Sequence, residues 1–168
     1  MSKIAGIYWD DTAAAPGISL SVYFSGCHFH CPGCHNPEAQ DFNYGRDYDT
    51  DIRQEIMEKI KKNGVMRTLC ILGGEPLCDE NLADVMNLLG WCKVDYPDLK
   101  IYIWTGYTIE ELEKRDDADV NTILYMTDYL IDGRYEQDKR DTTLPLRGSS
   151  NQRVINMDEY WRNKNDNN

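Results

Sequence analysis

No apolar run in this sequence approaches the ~20 residues that a membrane span requires, so no membrane role is expected. Positive charge is short. Eighteen Lys and Arg stand against 29 Asp and Glu, a net charge of −11, which argues against a nucleic-acid surface. Such acidity serves solubility, and it would also suit a partner with a basic docking face. No basic-then-apolar leader opens the chain, so a cytoplasmic protein is expected and disulfides are not. No internal repeat and no low-complexity linker divides the sequence, so 1–168 reads as one domain. That length can bury roughly two-thirds of the unfolded surface but falls short of the ~250 residues of a complete eightfold barrel.

What is present centres on Gly26 to Asn36, Gly-Cys-His-Phe-His-Cys-Pro-Gly-Cys-His-Asn. Cys27, Cys31 and Cys34 are spaced C-x3-C-x2-C, directly after a strand-like run, Ile18 to Phe24. Pro32 and Gly33 make the segment a turning loop. One loop can bring three thiolates to one centre, and thiolates are the ligands that iron–sulfur clusters select. A cubane has a fourth iron, which stays open to an exogenous ligand if no other side chain binds it. A structural zinc site is the competing reading, with His28, His30 or His35 completing a Cys3His set. Zinc modules usually draw paired knuckles from two segments, and no second knuckle follows here. A ferredoxin would need a fourth cysteine in the run, which is missing. Cys70 lies mid-strand and reads as a small buried hydrophobe; with Cys78 and Cys92 it has no cluster-like spacing.

Along the chain, Lys3 to Asp11 reads as a partly alternating strand, and Ile18 to Phe24 alternates as a half-buried strand does. Thr50 is a suitable N-cap for a helix over Asp51 to Lys62, with Ile52, Ile56 and Ile60 as its stripe. Thr68 to Leu72 is a strand, followed by a helix opened by Asp79 or Glu80 with Leu82, Val85, Met86, Leu89 and Trp91 as its apolar face. Lys100 to Trp104 is a strand, Thr108 caps a short helix to Lys114, and Asn121 to Met126 allows another helical turn. Asp128 to Asp132 is a strand, and Arg153 to Asn156 a short strand-like piece. The end, 157–168, reads as a frayed polar tail. Alternating short strands and helices predict parallel βαβ units, curled by right-handed crossovers. The expected fold is α/β, a partial (βα) barrel.

The distinctive stretches all fall at carboxyl ends of expected strands, where parallel α/β folds build their sites. They are the cysteine loop, Gly73-Gly74-Glu75, Thr105-Gly106-Tyr107 and Asp132-Gly133-Arg134. Gly73 and Gly74 let a ligand approach the backbone, and Glu75 adds an acceptor or countercharge; a plain strand-to-helix turn is the other reading. His35 and Asn36 could border a ligand or simply stabilise the loop.

With these motifs the chain resembles the anaerobic ribonucleoside-triphosphate reductase activating proteins, short members of the radical S-adenosylmethionine (SAM) enzymes. The cysteine and Gly-Gly-Glu elements are those of the superfamily at large. Trp104-Thr105-Gly106-Tyr107 and Arg147-Gly148-Ser149-Ser150-Asn151-Gln152 point to the activating proteins. Two departures are visible: Ala15-Pro16-Gly17-Ile18-Ser19 lacks the Arg that usually follows this turn, and Ala39-Gln40 stands where Trp is frequent.

The resemblance implies a radical SAM oxidoreductase with a [4Fe-4S] cluster on Cys27, Cys31 and Cys34, these acting catalytically through the cluster. It implies SAM as cosubstrate, bordered by Gly33, Cys34, His35, Gly73, Gly74 and Glu75. It implies a partner, the large subunit of anaerobic ribonucleotide reductase, in which a glycyl radical is generated, and a flavodoxin- or ferredoxin-type reductant. Thr105, Tyr107, Arg147, Ser149 and Asn151 are candidates for the active face or the partner contact; for Arg147 to Gln152 a turn anchoring the final strand is an equal reading. A homodimer stays open. An activase of another glycyl radical enzyme, such as pyruvate formate-lyase, and a non-catalytic zinc or electron-transfer module are the alternatives.

Overall fold

The computed structural model describes residues 1–166. Seven strands form one sheet in the order β3-β1-β2-β4-β5-β6-β7. These are β1 (Lys3–Asp11), β2 (Ser19–Phe24), β3 (Arg46–Asp47), β4 (Thr68–Gly73), β5 (Ile101–Trp104), β6 (Tyr129–Asp132) and β7 (Arg153–Asn156). The central four, β2, β4, β5 and β6, are parallel, as the alternation predicts. The flanks are not: β1 runs antiparallel to β2, β3 to β1, and β7 to β6. The reason is the connections. Parallel neighbours need a crossover of a dozen or more residues, usually a helix. Only a short turn joins β1 to β2, and the loop from β6 to β7 holds no α-helix, only the 3-10 turn Gln137–Lys139.

Among the described residues the sheet is joined by five α-helices: α1 (Thr50–Ile60), α2 (Asp79–Asp95), α3 (Ile109–Lys114), α4 (Ala118–Met126) and α5 (Met157–Asp166). Their apolar stripes pack on one face of the sheet. Leu20, Val22 and Phe24 of β2, Leu69 and Ile71 of β4, Ile101 and Ile103 of β5, and Leu130 of β6 meet them there. The intervening residues, Cys70, Leu72, Tyr102, Trp104, Tyr129 and Ile131, face the other way, with Ala14, Ala15 and Leu146 over them. This period of two leaves one face of the sheet free of helices, and the candidate site opens on that face.

Three local expectations change. Thr50 is the first residue of α1, and Asp49 caps it, accepting a 2.9 Å bond from the Ile52 amide. Asp49 has the extended backbone a cap needs. Trp91 is 47% exposed under Arg53, and Leu88 and Cys92 fill the α2 stripe instead. Position 91 steps off the line that 85, 88, 89 and 92 trace at 3.6 residues per turn. The tail expected to fray is helical from Met157 to Asp166. Met157, Tyr160 and Trp161, at helical spacing, pack on the core. The last two positions of that expectation, 167 and 168, lie outside the described residues. Among the described residues no helix is long and apolar enough to cross a membrane.

Candidate functional site

The cysteine loop begins where β2 ends, and its entry is fixed by backbone. The Gly26 amide donates to the Ala39 carbonyl at 2.8 Å and the Cys27 amide to the Gln40 carbonyl at 3.1 Å. Gly26 has φ +97°, and a side chain there would overlap the Phe42 ring, so glycine is required. All six cysteines are free thiols. Cys27, Cys31 and Cys34 line one cavity of about 560 Å³, a size that suits a small-molecule ligand, together with Gly73, Gly74 and Glu75.

Each of the three sulfurs meets backbone N–H. The Asn36 amide lies 3.4 Å from Cys34 Sγ. The Phe29 and His30 amides face Cys27, and the Tyr135 amide faces Cys31. Burial pushes the Cys27 and Cys31 thiols up, and these donors pull the other way. Such donors stabilise sulfur that carries negative charge, as thiolate ligands do. Among the described residues no three His, Cys, Asp or Glu side chains converge on a point that one metal ion could occupy. The ligands of one zinc each stand ~2.3 Å or less from it, whereas cubane ligands bind different irons and stand farther apart. The donor set fits a cluster better than a single ion. His28 pairs with Glu80 at 2.8 Å and His30 with Gln40 at 2.9 Å, both exposed, so neither completes a zinc set.

Glu75 is buried and accepts from three donors. Its Oε1 takes the Leu77 amide at 2.9 Å and the Thr105 hydroxyl at 2.7 Å, and its Oε2 takes the Gly106 amide at 2.6 Å. Burial pushes its carboxyl up to about 7, against the pull of those three bonds and of Arg115. The carboxylate thus ties the loop after β4 to the loop after β5. The Gly74 and Glu75 amides are held by the Phe24 and Gly26 carbonyls, both at 2.7 Å. Gly73 takes φ +123°, and a Cβ on Gly74 would meet the backbone of Gly26 and Ala39. Bare backbone therefore lines the cavity at this point.

The chain matches the family model described as a 4Fe-4S single cluster domain over residues 13–155. It is 35% identical over 154 residues to the anaerobic ribonucleoside-triphosphate reductase-activating protein of Pasteurella multocida (strain Pm70), covering 91% of this chain and 96% of that one. The protein of the same name from Vibrio cholerae is 34% identical over 143 residues, 84% of this chain and 90% of that one. The one from Escherichia coli (strain K12) is 31% identical over 148 residues, 88% of this chain and 94% of that one.

The chain belongs to the anaerobic ribonucleoside-triphosphate reductase-activating protein family.

In this activating-protein chain the remaining motif residues have distinct placements. Thr105 borders the cavity but spends its hydroxyl on Glu75 and on the Tyr107 amide, 3.1 Å away. Tyr107 packs edge-on against Phe29, with centroids 4.7 Å apart. His35 and Asn36 both border the cavity, and His35 meets Tyr135 edge-on at 5.6 Å. Arg147 borders it too: Nη1 donates to the Gln152 carbonyl at 2.8 Å, while Nε is buried without a partner among the described residues. Ser149 is fully buried, and Asn151 donates to the Arg134 carbonyl at 2.8 Å. Neither lies on the cavity wall. Sequence reasoning gave no role to Phe29, inside the cysteine loop, or to Gln137, which with Tyr135 presses on that loop from the β6 side. Only the adjacency of 135 and 137 to the Asp-Gly-Arg turn hinted at them. Cys78 is buried at the start of α2, its thiol pushed up to about 12 by burial.

Proposed function

We propose that this chain, as one radical SAM domain with the curled sheet of a partial barrel, activates the large subunit of an anaerobic ribonucleotide reductase by generating a glycyl radical in it. Cys27, Cys31 and Cys34 would hold a [4Fe-4S] cluster, and SAM would occupy the rest of the shared cavity as cosubstrate. When bound, the cluster supplies a low-potential electron for reductive cleavage of SAM to methionine and the 5′-deoxyadenosyl radical that takes a glycine Cα hydrogen. The chain's own residues position and shelter this chemistry. Backbone amides face the three sulfurs, and side-chain-free Gly73 and Gly74 admit the polar end of SAM. Glu75 serves by fixing the two glycine-bearing loops, since its oxygens already have protein donors. Arg147 offers a cation for a ligand carboxylate on the same cavity.

One observation carries the reading: three free thiols of one loop share a cavity with the bare Gly73-Gly74 backbone. The names of the relatives supply the partner. The test is anaerobic reconstitution with iron and sulfide, reduction by flavodoxin or dithionite, and mixing with SAM and the reductase large subunit. A glycyl doublet in the EPR spectrum is expected. A cluster signal that SAM leaves unchanged, or a doublet formed only on pyruvate formate-lyase, overturns it.

A further inference from the structure

The Arg147-to-Gln152 segment borders the cavity at Arg147, Gly148 and Gln152 and reaches from there to the loop after β6. Gln152 Nε2 donates to the Gly133 carbonyl at 2.9 Å and Asn151 Nδ2 to the Arg134 carbonyl at 2.8 Å. The Glu136 amide donates to Ser149 Oγ at 3.2 Å. Gln152 Oε1 accepts from the Gly148 and Ser149 amides at 2.9 and 3.2 Å, so the segment is closed on itself before it reaches across. Three side chains of one short segment thus hold three backbone sites of one loop, at 133, 134 and 136.

That loop in turn lies on the cysteine loop at three points. The Tyr135 ring meets His35, the residue after Cys34, edge-on with centroids 5.6 Å apart. The Arg134 guanidinium sits 4.4 Å from the centroid of Phe29, between Cys27 and Cys31 in sequence. Gln137 packs against Gly33 so closely that a Cβ on Gly33 would overlap its amide oxygen. A turn that merely anchored β7 would need none of these contacts.

We infer that Ser149, Asn151 and Gln152 are positioning residues: they press the Gly133–Gln137 loop onto the cysteine loop and so set how closely its backbone N–H groups and the Arg134 cation approach the sulfurs there. This rests on the proposed cluster. Hydrogen bonds to ligating sulfur stabilise the reduced, more negative cluster and raise its potential. Second-layer contacts of this kind tune metal sites without touching the metal. Weakening the brace would therefore make the cluster harder to reduce while leaving all three cysteines in place.

The test uses the full chain with Asn151→Ala and Ser149→Ala, and Asp117→Ala as a control. Asp117 caps α4 and touches no part of the brace. In apoprotein, amide exchange across 133–137 is expected to accelerate on the order of tenfold in both brace variants, as loss of one hydrogen bond implies. In reconstituted protein, EPR-monitored titration is expected to give a lower midpoint potential in both, with the control unmoved. Unchanged exchange, an equal acceleration in Asp117→Ala, or a midpoint potential unaffected by both brace variants overturns the inference. A wild-type chain that takes up no cluster overturns the proposed function instead, and the exchange experiment still decides whether the brace exists.

Discussion

The Glu75 carboxylate accepts a 2.7 Å hydrogen bond from the Thr105 hydroxyl across two strand ends, inside the protein. A carboxylate so placed is an expensive way to join two loops at neutral pH, because burial raises its pKa to about 7. Between about 4.5 and 7 the folded chain keeps a proton that the unfolded chain has released. Stability contributed by Glu75 therefore declines as pH rises through that window and is level above it. The difference is at most about 3 kcal/mol, from a shift of about 2.5 units at 1.36 kcal/mol each. Urea unfolding of apoprotein at pH 5 and 7.5 should show this decline in the wild type and a flatter profile in Glu75→Gln. Parallel profiles would show that the carboxyl is ionised throughout.

Gly74→Ala tests how tightly the loops after β2 and β4 are joined. The new methyl would overlap the Gly26 carbonyl oxygen and lie 2.5 Å from that of Ala39. Both are backbone atoms, so no side chain can swing aside. A loss of about 2–3 kcal/mol is expected, in the range of overpacked sites, with poorer iron uptake because Gly26 leads directly into Cys27. Chemical denaturation and iron assay of the reconstituted protein check the two parts separately. An alanine variant as stable as wild type would mean the loops yield readily.

The parallel core was legible because its signals are local. Ile18 to Phe24, Thr68 to Leu72 and Asp128 to Asp132 carry alternation or short apolar runs ended by glycine, and β2, β4 and β6 lie there. The cysteine spacing and Gly73-Gly74 are likewise contiguous. The two-residue β3 was not legible, since Arg46 and Asp47 form a strand only by pairing with Ile4 and Lys3. Glu75 was expected to face a ligand, but its donors Thr105 and Gly106 lie thirty residues on. Ser149 and Asn151 stand in a recognisable motif, yet their partners Glu136 and Arg134 are set by the antiparallel return of β7. Contacts across the fold leave no period in the sequence.

Cysteine substitution should divide the six thiols into two groups. Replacing Cys27, Cys31 or Cys34 by Ala is expected to abolish stable iron and sulfide incorporation while leaving the urea midpoint of the apoprotein nearly unchanged, because these sulfurs border a cavity. Cys70→Ala, Cys78→Ala and Cys92→Ala are expected to keep full iron content. All three are buried with thiols pushed up to about 12, a poor state for a metal ligand. They should cost about 1 kcal/mol of stability each, as small core truncations do. Iron loss in any of the second group would place a fourth thiol at the centre and overturn the three-cysteine assignment.

Arg153 tests what holds β7 to β6. Its Nε donates to Asp132 Oδ1 at 2.9 Å and its Nη2 to Oδ2 at 2.5 Å, and it also forks onto Glu110 at 2.9 and 2.7 Å. Asp132 is wholly buried, and its Oδ2 also accepts from the Ile109 amide at 2.8 Å. Arg153→Met would keep the aliphatic stem and leave the Asp132 charge inside without its cation. Breaking a fully buried pair costs ~3–5 kcal/mol; Arg153 is 45% exposed, so water partly replaces it and about 2 kcal/mol is expected by urea denaturation. Asp132→Asn in the same chain should recover part of that loss, because no charge is then stranded. If the double variant is no more stable than Arg153→Met alone, the loss comes from packing of the arginine stem, and the β6–β7 join does not depend on the ion pair.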